Sequence, residues 1–316
     1  MKRLRIAVIA AMAVGITGLC STAPVSASPQ HFLPVQAQPH VLKPRGSANA
    51  STSNDLFYNG GVGGIGVETT PRVYLVLWGS QWSSDPSGEA ATEQSFLSGA
   101  GGSSWLNSVT QYCQGVPVST LFCGGISGAQ FAGNPSGILA ATWRDSGSAA
   151  PSKPRQFQLA AEAVRAAQHF GNTSSPSNAS TQYVIATAHG NNSSGFGRQF
   201  CAWHSSTSSS VGNVAYTNLP YITDAGASCG ANFNGLGPDA GMTIVEGHEL
   251  AETITDQFPN GGWLDSSGAE NGDKCAWISS GQGASANVTL STGTFPVQSL
   301  WSNVFNGGAG GCVLSF

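Results

Sequence analysis

The chain has 316 residues, of which 40% are hydrophobic and only 9% are charged, against roughly 25% charged in ordinary soluble domains. Its 12 basic and 16 acidic residues leave a formal net charge of −4, a balance that argues against nucleic acid or an anionic membrane as a partner. Forty-two glycines and many serines carry the surface polarity instead, as suits a protein working outside the cell.

Lys2, Arg3 and Arg5 precede an apolar run from Ile6 to Leu19, and Val25-Ser26-Ala27 follows as a small-residue cleavage site. Residues 1–27 therefore read as an export signal, with a mature chain starting near Ser28. The run is short for a membrane span, and Cys20 lies inside the discarded segment. Signal removal takes three basic residues and no acidic ones, so the mature balance becomes 9 − 16 = −7.

Six cysteines remain: Cys113, Cys123, Cys201, Cys229, Cys275 and Cys312. An even count in an oxidising compartment reads as disulfides, and sequence alone leaves the connectivity open. The simplest pairing is sequential, 113 with 123, 201 with 229 and 275 with 312. None forms a C-x-x-C pair, which argues against a thiolate zinc site.

Residues 28–54 are rich in Pro, Gln, Ala and Ser without apolar periodicity, and read as a flexible leader or short pro-segment. Residues 55–316 suit one α/β (α+β) domain with a mixed sheet, stapled by disulfides. Within it, Arg72 to Gly79 reads as a buried strand. Glu89–Leu97 and Ser104–Tyr112 read as short helices, and Phe157–Phe170, closed by Gly171, as the clearest one. Gln182 to Ala188 is a second buried strand. Asn191–Gly197 and Ser205–Ser210 read as loops. A helix over Met242–Asp256 ends at Pro259-Asn260-Gly261-Gly262. Short strands are expected near Asn287–Leu290 and Val313-Leu314.

That last helix carries the chemistry. His248 and Glu252, four apart, share one face about a turn apart, and Glu249 lies beside them. The pattern His248-Glu249-Leu250-Ala251-Glu252 matches the zinc-protease helix H-E-x-x-H with its final histidine replaced by glutamate. His248 and Glu252 would ligate the metal, and Glu249 would act as general base on a polarised water. A third ligand is expected from Asp265, Glu270 or Asp273, with Glu270 and Asp273 preferred. Carboxylates so crowded repel one another unless a cation or a set of donors neutralises them, and Lys and Arg are scarce. The alternative is a solvated acidic helix face, which the low background charge disfavours. A calcium loop at 265–273 is a further option, although the EF-hand spacing is absent.

His204 and His189 are the remaining candidates, as ligands or transition-state donors; His31 and His40 fall in the leader and His169 at a helix end. A Ser-His-Asp hydrolase lacks its G-x-S-x-G elbow. A metal-free carboxylate-pair acid peptidase built on Glu246, Glu249 and Glu252 stays open.

Four ordered blocks resemble the EXORDIUM-like (phosphate-induced protein) family of secreted proteins. They are Leu56-Phe57-Tyr58-Asn59-Gly60-Gly61 with the strand Val73 to Gly79, Tyr183-Val184-Ile185 leading to Phe200-Cys201-Ala202-Trp203-His204, His248 to Thr253, and Glu270-Asn271-Gly272-Asp273-Lys274-Cys275. The resemblance covers most of residues 55–280. It implies an extracellular or wall-associated protein and singles out His204, His248, Glu249, Glu252, Glu270 and Asp273. It implies no particular reaction, and His189 falls outside its blocks. Around Asn191–Gly197 this chain is longer and richer in glycine than the plant pattern.

The expectation is thus a secreted, monomeric zinc peptidase acting on proteins or peptides, without a membrane partner after signal cleavage. His204 would be a ligand or oxyanion donor. The competing expectation is a non-enzymatic protein that binds a cell-wall component.

Overall fold

A computed structural model describes residues 36–47 and 55–316; the export signal, its cleavage site, Cys20 and His31 lie outside them. The centre is a six-stranded mixed sheet. Its strands are β1 (His40–Leu42), β2 (Arg72–Trp78), β3 (Leu139–Asp145), β4 (Thr181–Thr187), β5 (Ala202–Ser209) and β6 (Gly212–Leu219). Their order across the sheet is β1-β5-β6-β4-β2-β3. Strands β2, β3, β4 and β6 run parallel, whereas β5 pairs antiparallel with β6 and β1 antiparallel with β5.

Side chains alternate between the two faces of a strand, so a sheet covered on both sides needs apolar residues at every position. Strand β2 supplies them. Val73, Leu75 and Leu77 join one core cluster while Tyr74, Val76 and Trp78 join a second. Helix α2 (Gln156–His169) covers the second face through Leu159, Ala160, Ala163, Ala166 and Ala167. Helix α3 (Ala240–Thr255) covers the first, beside α1 (Glu89–Ala100), and every one of its residues is buried.

Total burial of α3 explains why its carboxylates matter. A helix on the surface would leave Glu246, Glu249 and Glu252 in water; here each is wholly inaccessible. The helix ends where the Asp256 carboxylate accepts the amides of Asn260, Gly261 and Gly262 at 2.7, 3.0 and 2.5 Å, turning the chain back.

Several sequence expectations hold. The strands near 72–79 and 182–188 and the helices near 157–170 and 242–256 form within a few residues of their expected ends. The three disulfides are Cys113–Cys123, Cys201–Cys229 and Cys275–Cys312. Others need correction. Ser205–Ser210, expected as a loop, continues β5 through Ser209, because its backbone pairs in register with β6 from Ser205↔Tyr216 to Ser209↔Gly212. The 104–112 region forms a 3-10 helix over Leu106–Gln111.

The largest difference concerns residues 36–47, expected within a flexible leader. They lie along strand β5 and form the sheet's edge, with Ala37 N donating to Ser206 O at 2.8 Å and Cys201 N to Leu42 O at 2.8 Å. Gln156 Nε2 and Trp277 Nε1 bind the carbonyls of Ala37 and Lys43, both at 2.7 Å. A strand of three residues leaves no readable period; its pairing comes from the exposed edge of β5.

Candidate metal centre

The site forms where α3, β5, β1 and the 265–275 loop meet. In β5, Ala202 belongs to the α3-side core and Trp203 to the other. Strand alternation therefore turns His204 toward α3. In β1, Leu42 belongs to the α3-side core and Val41 packs against the other cluster, which puts His40 on the same side as His204. The two histidines are register partners.

The 265–275 loop is fixed independently of any ligand. Lys274 Nζ pairs with Asp265 Oδ2 at 3.1 Å, both side chains wholly buried, and lies 4.4 Å from the Trp301 ring centre. Asn271 Nδ2 donates to Ala251 O at 3.1 Å and Thr255 Oγ1 at 2.9 Å, tying the loop to α3. Cys275–Cys312 closes it. Asp265, one of the three expected third ligands, is thus committed to Lys274, Ser267 and Ala269.

The same anchoring brings Glu270 and Asp273 to α3. His204 Nε2 lies 2.7 Å from Glu270 Oε2 and 3.6 Å from Glu252 Oε2. His248 Nε2 lies 3.0 Å from Glu252 Oε1 and 3.9 Å from Asp273 Oδ1. His40 Nδ1 lies 3.2 Å from Glu270 Oε2. Donor atoms fall into three overlapping groups, each within 4.8 Å: His248, Glu252 and Asp273; His204, Glu249 and Glu252; His40, His204 and Glu270. The six residues that the family resemblance singles out therefore converge. His40, set aside as leader, joins them. His189 does not: it is exposed and bonded to Asp224 at 2.5 Å.

The tautomer of His248 follows from its neighbours. Gln298 donates its amide hydrogens to Gly272 O at 2.8 Å and Ser299 O at 3.3 Å, which leaves Gln298 Oε1 to face His248 Nδ1 at 3.2 Å. Nδ1 must carry the proton, so Nε2 presents a lone pair. Burial pushes the His248 pKa down to about 3, so the ring is neutral. Although Nε2 stands 3.0 Å from Glu252 Oε1, the geometry closes no hydrogen bond and Nε2 has no partner.

Other donor atoms are equally unpaired. Glu252 Oε2, Glu270 Oε1 and both Glu249 oxygens are buried without a hydrogen bond; the Leu42 amide lies near Glu249 but closes none. An orphaned buried polar atom costs about 1–3 kcal/mol. Burial and then the neighbouring carboxylates push Glu249 and Glu252 well above the carboxylate range, and Asp273 to about 7. Glu270 goes the other way: burial opposes its charge, but His40 and His204 hold its pKa well below normal. Burial likewise opposes charge on His40, yet Glu270 raises it to about 10.

This donor set fits a cation. Ligand atoms about 2.0–2.2 Å from a tetrahedral zinc stand roughly 3.3–3.6 Å apart, and the cross-contacts of 3.0, 3.6 and 3.9 Å bracket that spacing. Space is reserved too. A Cβ on Gly272 would stand 2.7 Å from His248 Nδ1 and 3.0 Å from Glu252 Oε1. Gly272 has ordinary helical angles, φ −77° and ψ −46°, so close approach and not backbone freedom calls for glycine. These buried His, Glu and Asp side chains can hold a metal ion.

Sequence reasoning missed three contributors. His40 gave no signal apart from being a histidine, and Gln298 lies in the loop-rich tail. Gly272 sits inside a recognised block but looks like any turn glycine. No family model, curated protein or solved structure matches the chain.

Proposed function

We propose that the protein is an exported, EXORDIUM-like zinc peptidase, with His248, Glu252 and Asp273 holding the ion and Glu249 as general base. One observation carries the reading: a neutral His248 Nε2 lone pair faces a Glu252 oxygen at 3.0 Å, and the geometry closes no hydrogen bond between them. Once Glu252 is ionised, two acceptors so close repel each other until a cation comes between them. Nitrogen and carboxylate donors together suit zinc, with calcium, which prefers an all-oxygen shell, as the lesser choice.

Bound zinc would supply Lewis acidity toward a water and a peptide carbonyl. Glu249, whose oxygens have no other partner, takes the proton from the attacking water and returns it to the leaving amine. His204 stabilises the charge developing on the carbonyl oxygen. Asp273, with a side chain 23% exposed, marks where water reaches the centre. Three disulfides agree with an oxidising, extracellular location, and no described helix is long and apolar enough to cross a membrane.

One observation favours a second reading. His204, His248, Glu252 and Glu270 are fully inaccessible, and closed metal sites are structural more often than catalytic. In that case the protein is a non-enzymatic secreted or wall-associated protein stabilised by its ion.

The test is metal content of the mature protein together with casein hydrolysis, with and without chelator, beside Glu249→Gln. The proposal expects stoichiometric zinc and chelator-sensitive hydrolysis that Glu249→Gln abolishes while retaining zinc. Zinc without hydrolysis supports the structural reading. Hydrolysis at acid pH that survives chelation indicates a carboxylate pair instead.

A further inference from the structure

The donor atoms do not form one ligand shell. His248 Nε2, Glu252 Oε1 and Asp273 Oδ1 make one group, whereas His40 Nδ1, His204 Nε2 and Glu270 Oε2 make another. Glu252 lies between them with its two oxygens turned apart, Oε1 at 3.0 Å from His248 Nε2 and Oε2 at 3.6 Å from His204 Nε2. Oε2 is buried and has no hydrogen bond, and the same is true of Glu270 Oε1. A carboxylate presenting one oxygen to each of two donor groups is the arrangement that bridges paired ions, which in hydrolytic centres stand about 3.5–4 Å apart.

We propose that the centre is binuclear, with Glu252 as the bridge. The first ion would be held by His248, Asp273 and Glu252, and the second by His40, His204, Glu270 and the other Glu252 oxygen. This rests on the metal reading above and extends it, with His204 as a ligand in place of an oxyanion donor. It also gives residues 36–47 a function: they carry one ligand of the second position.

The chemistry of the second group supports the assignment. Two imidazoles and a carboxylate are a common ligand set for zinc. Without the ion, a hydrogen bond joins His204 Nε2 and Glu270 Oε2 at 2.7 Å; metal binding displaces such protons. His40 has the most exposed side chain of this group, at 13%, and β1 is the edge strand, so ion exchange at the second position runs past His40.

The experiment titrates chelator-stripped full-length mature protein with zinc chloride, followed by calorimetry and by elemental analysis after desalting. Wild type is expected to bind about two equivalents and His40→Ala about one, with Asp273→Ala losing the other position. Because variants can fail to fold, the wild type is also loaded with manganese and examined by electron paramagnetic resonance, where a bridged pair gives an exchange-coupled spectrum. Two equivalents with coupling establish the pair. One equivalent, unchanged in His40→Ala, overturns the binuclear centre but leaves the mononuclear reading intact. No bound metal overturns both.

Discussion

Replacing Gly272 by alanine adds a single methyl group to the centre. The new Cβ would stand 2.7 Å from His248 Nδ1 and 3.0 Å from Glu252 Oε1, where ordinary contact begins near 3.4 Å. The imidazole must retreat by about 0.7 Å and the carboxylate by about 0.4 Å, or the loop must lift by as much. Neither side yields readily, since α3 is buried along its whole length and the loop is tied to it through Asn271. Metal–ligand distances tolerate only about 0.2 Å, and disturbing groups that support ligands weakens binding roughly 10–100-fold. The expected loss is therefore about 1.4–2.7 kcal/mol of zinc affinity. Competition with a chromophoric chelator measures it, beside Gly124→Ala, where a Cβ meets nothing within 4 Å. Thermal denaturation of the metal-free proteins separately reads the overpacking cost, about 1–3 kcal/mol. If Gly272→Ala binds zinc as tightly as wild type, His248 and Glu252 are not ligands in the geometry described.

Other consequences follow from groups outside the centre. Burial raises the Glu68 pKa from 4.5 to about 8, despite the hydrogen bond from Gln182 Nε2 at 3.0 Å. Between those values the folded state holds a proton that the unfolded chain has released, so this group makes stability fall as pH rises from 4.5 to 8. Urea denaturation across that window should show Glu68→Gln flattening the slope by up to about 1.4 kcal/mol per pH unit; an unaltered slope contradicts the assignment. Lys274→Met should destabilise by about 3–5 kcal/mol, because Asp265 is left charged and buried, read as a lower denaturation midpoint. Replacing Cys275 and Cys312 together by alanine frees a separation of 37 residues and should cost about 3–4 kcal/mol by chain entropy. Hydrogen exchange should then show the 265–275 loop opening first.

Much of the site was legible because its signals are local. His248, Glu249 and Glu252 follow from helical spacing, and Glu270 and Asp273 stand out as carboxylates in a chain that has few. Buried strands β2 and β4 were legible because continuous apolar runs mark sheets covered on both faces. What escaped depends on pairing across long separations. Strand β1 exists because β5 offers an edge 164 residues later, as in His40↔His204. Strand β5 is rich in serine, so it reads as loop until β6 supplies its partner. Gln298 acts only through the register that puts its carbonyl against a ring 50 residues earlier. The carboxylate spacing also gives no hint that Glu246 lies near Glu93 of α1, where both are buried without partners.

The central claim, that these buried side chains hold a metal, is tested most directly by a crystal of the zinc-loaded protein with anomalous data on both sides of the zinc edge. The account predicts an edge-dependent peak about 2.0–2.2 Å from His248 Nε2 and a Glu252 oxygen. A fully ordered centre with no such peak, and His248 Nε2 instead hydrogen-bonded to a protonated Glu252, would contradict it.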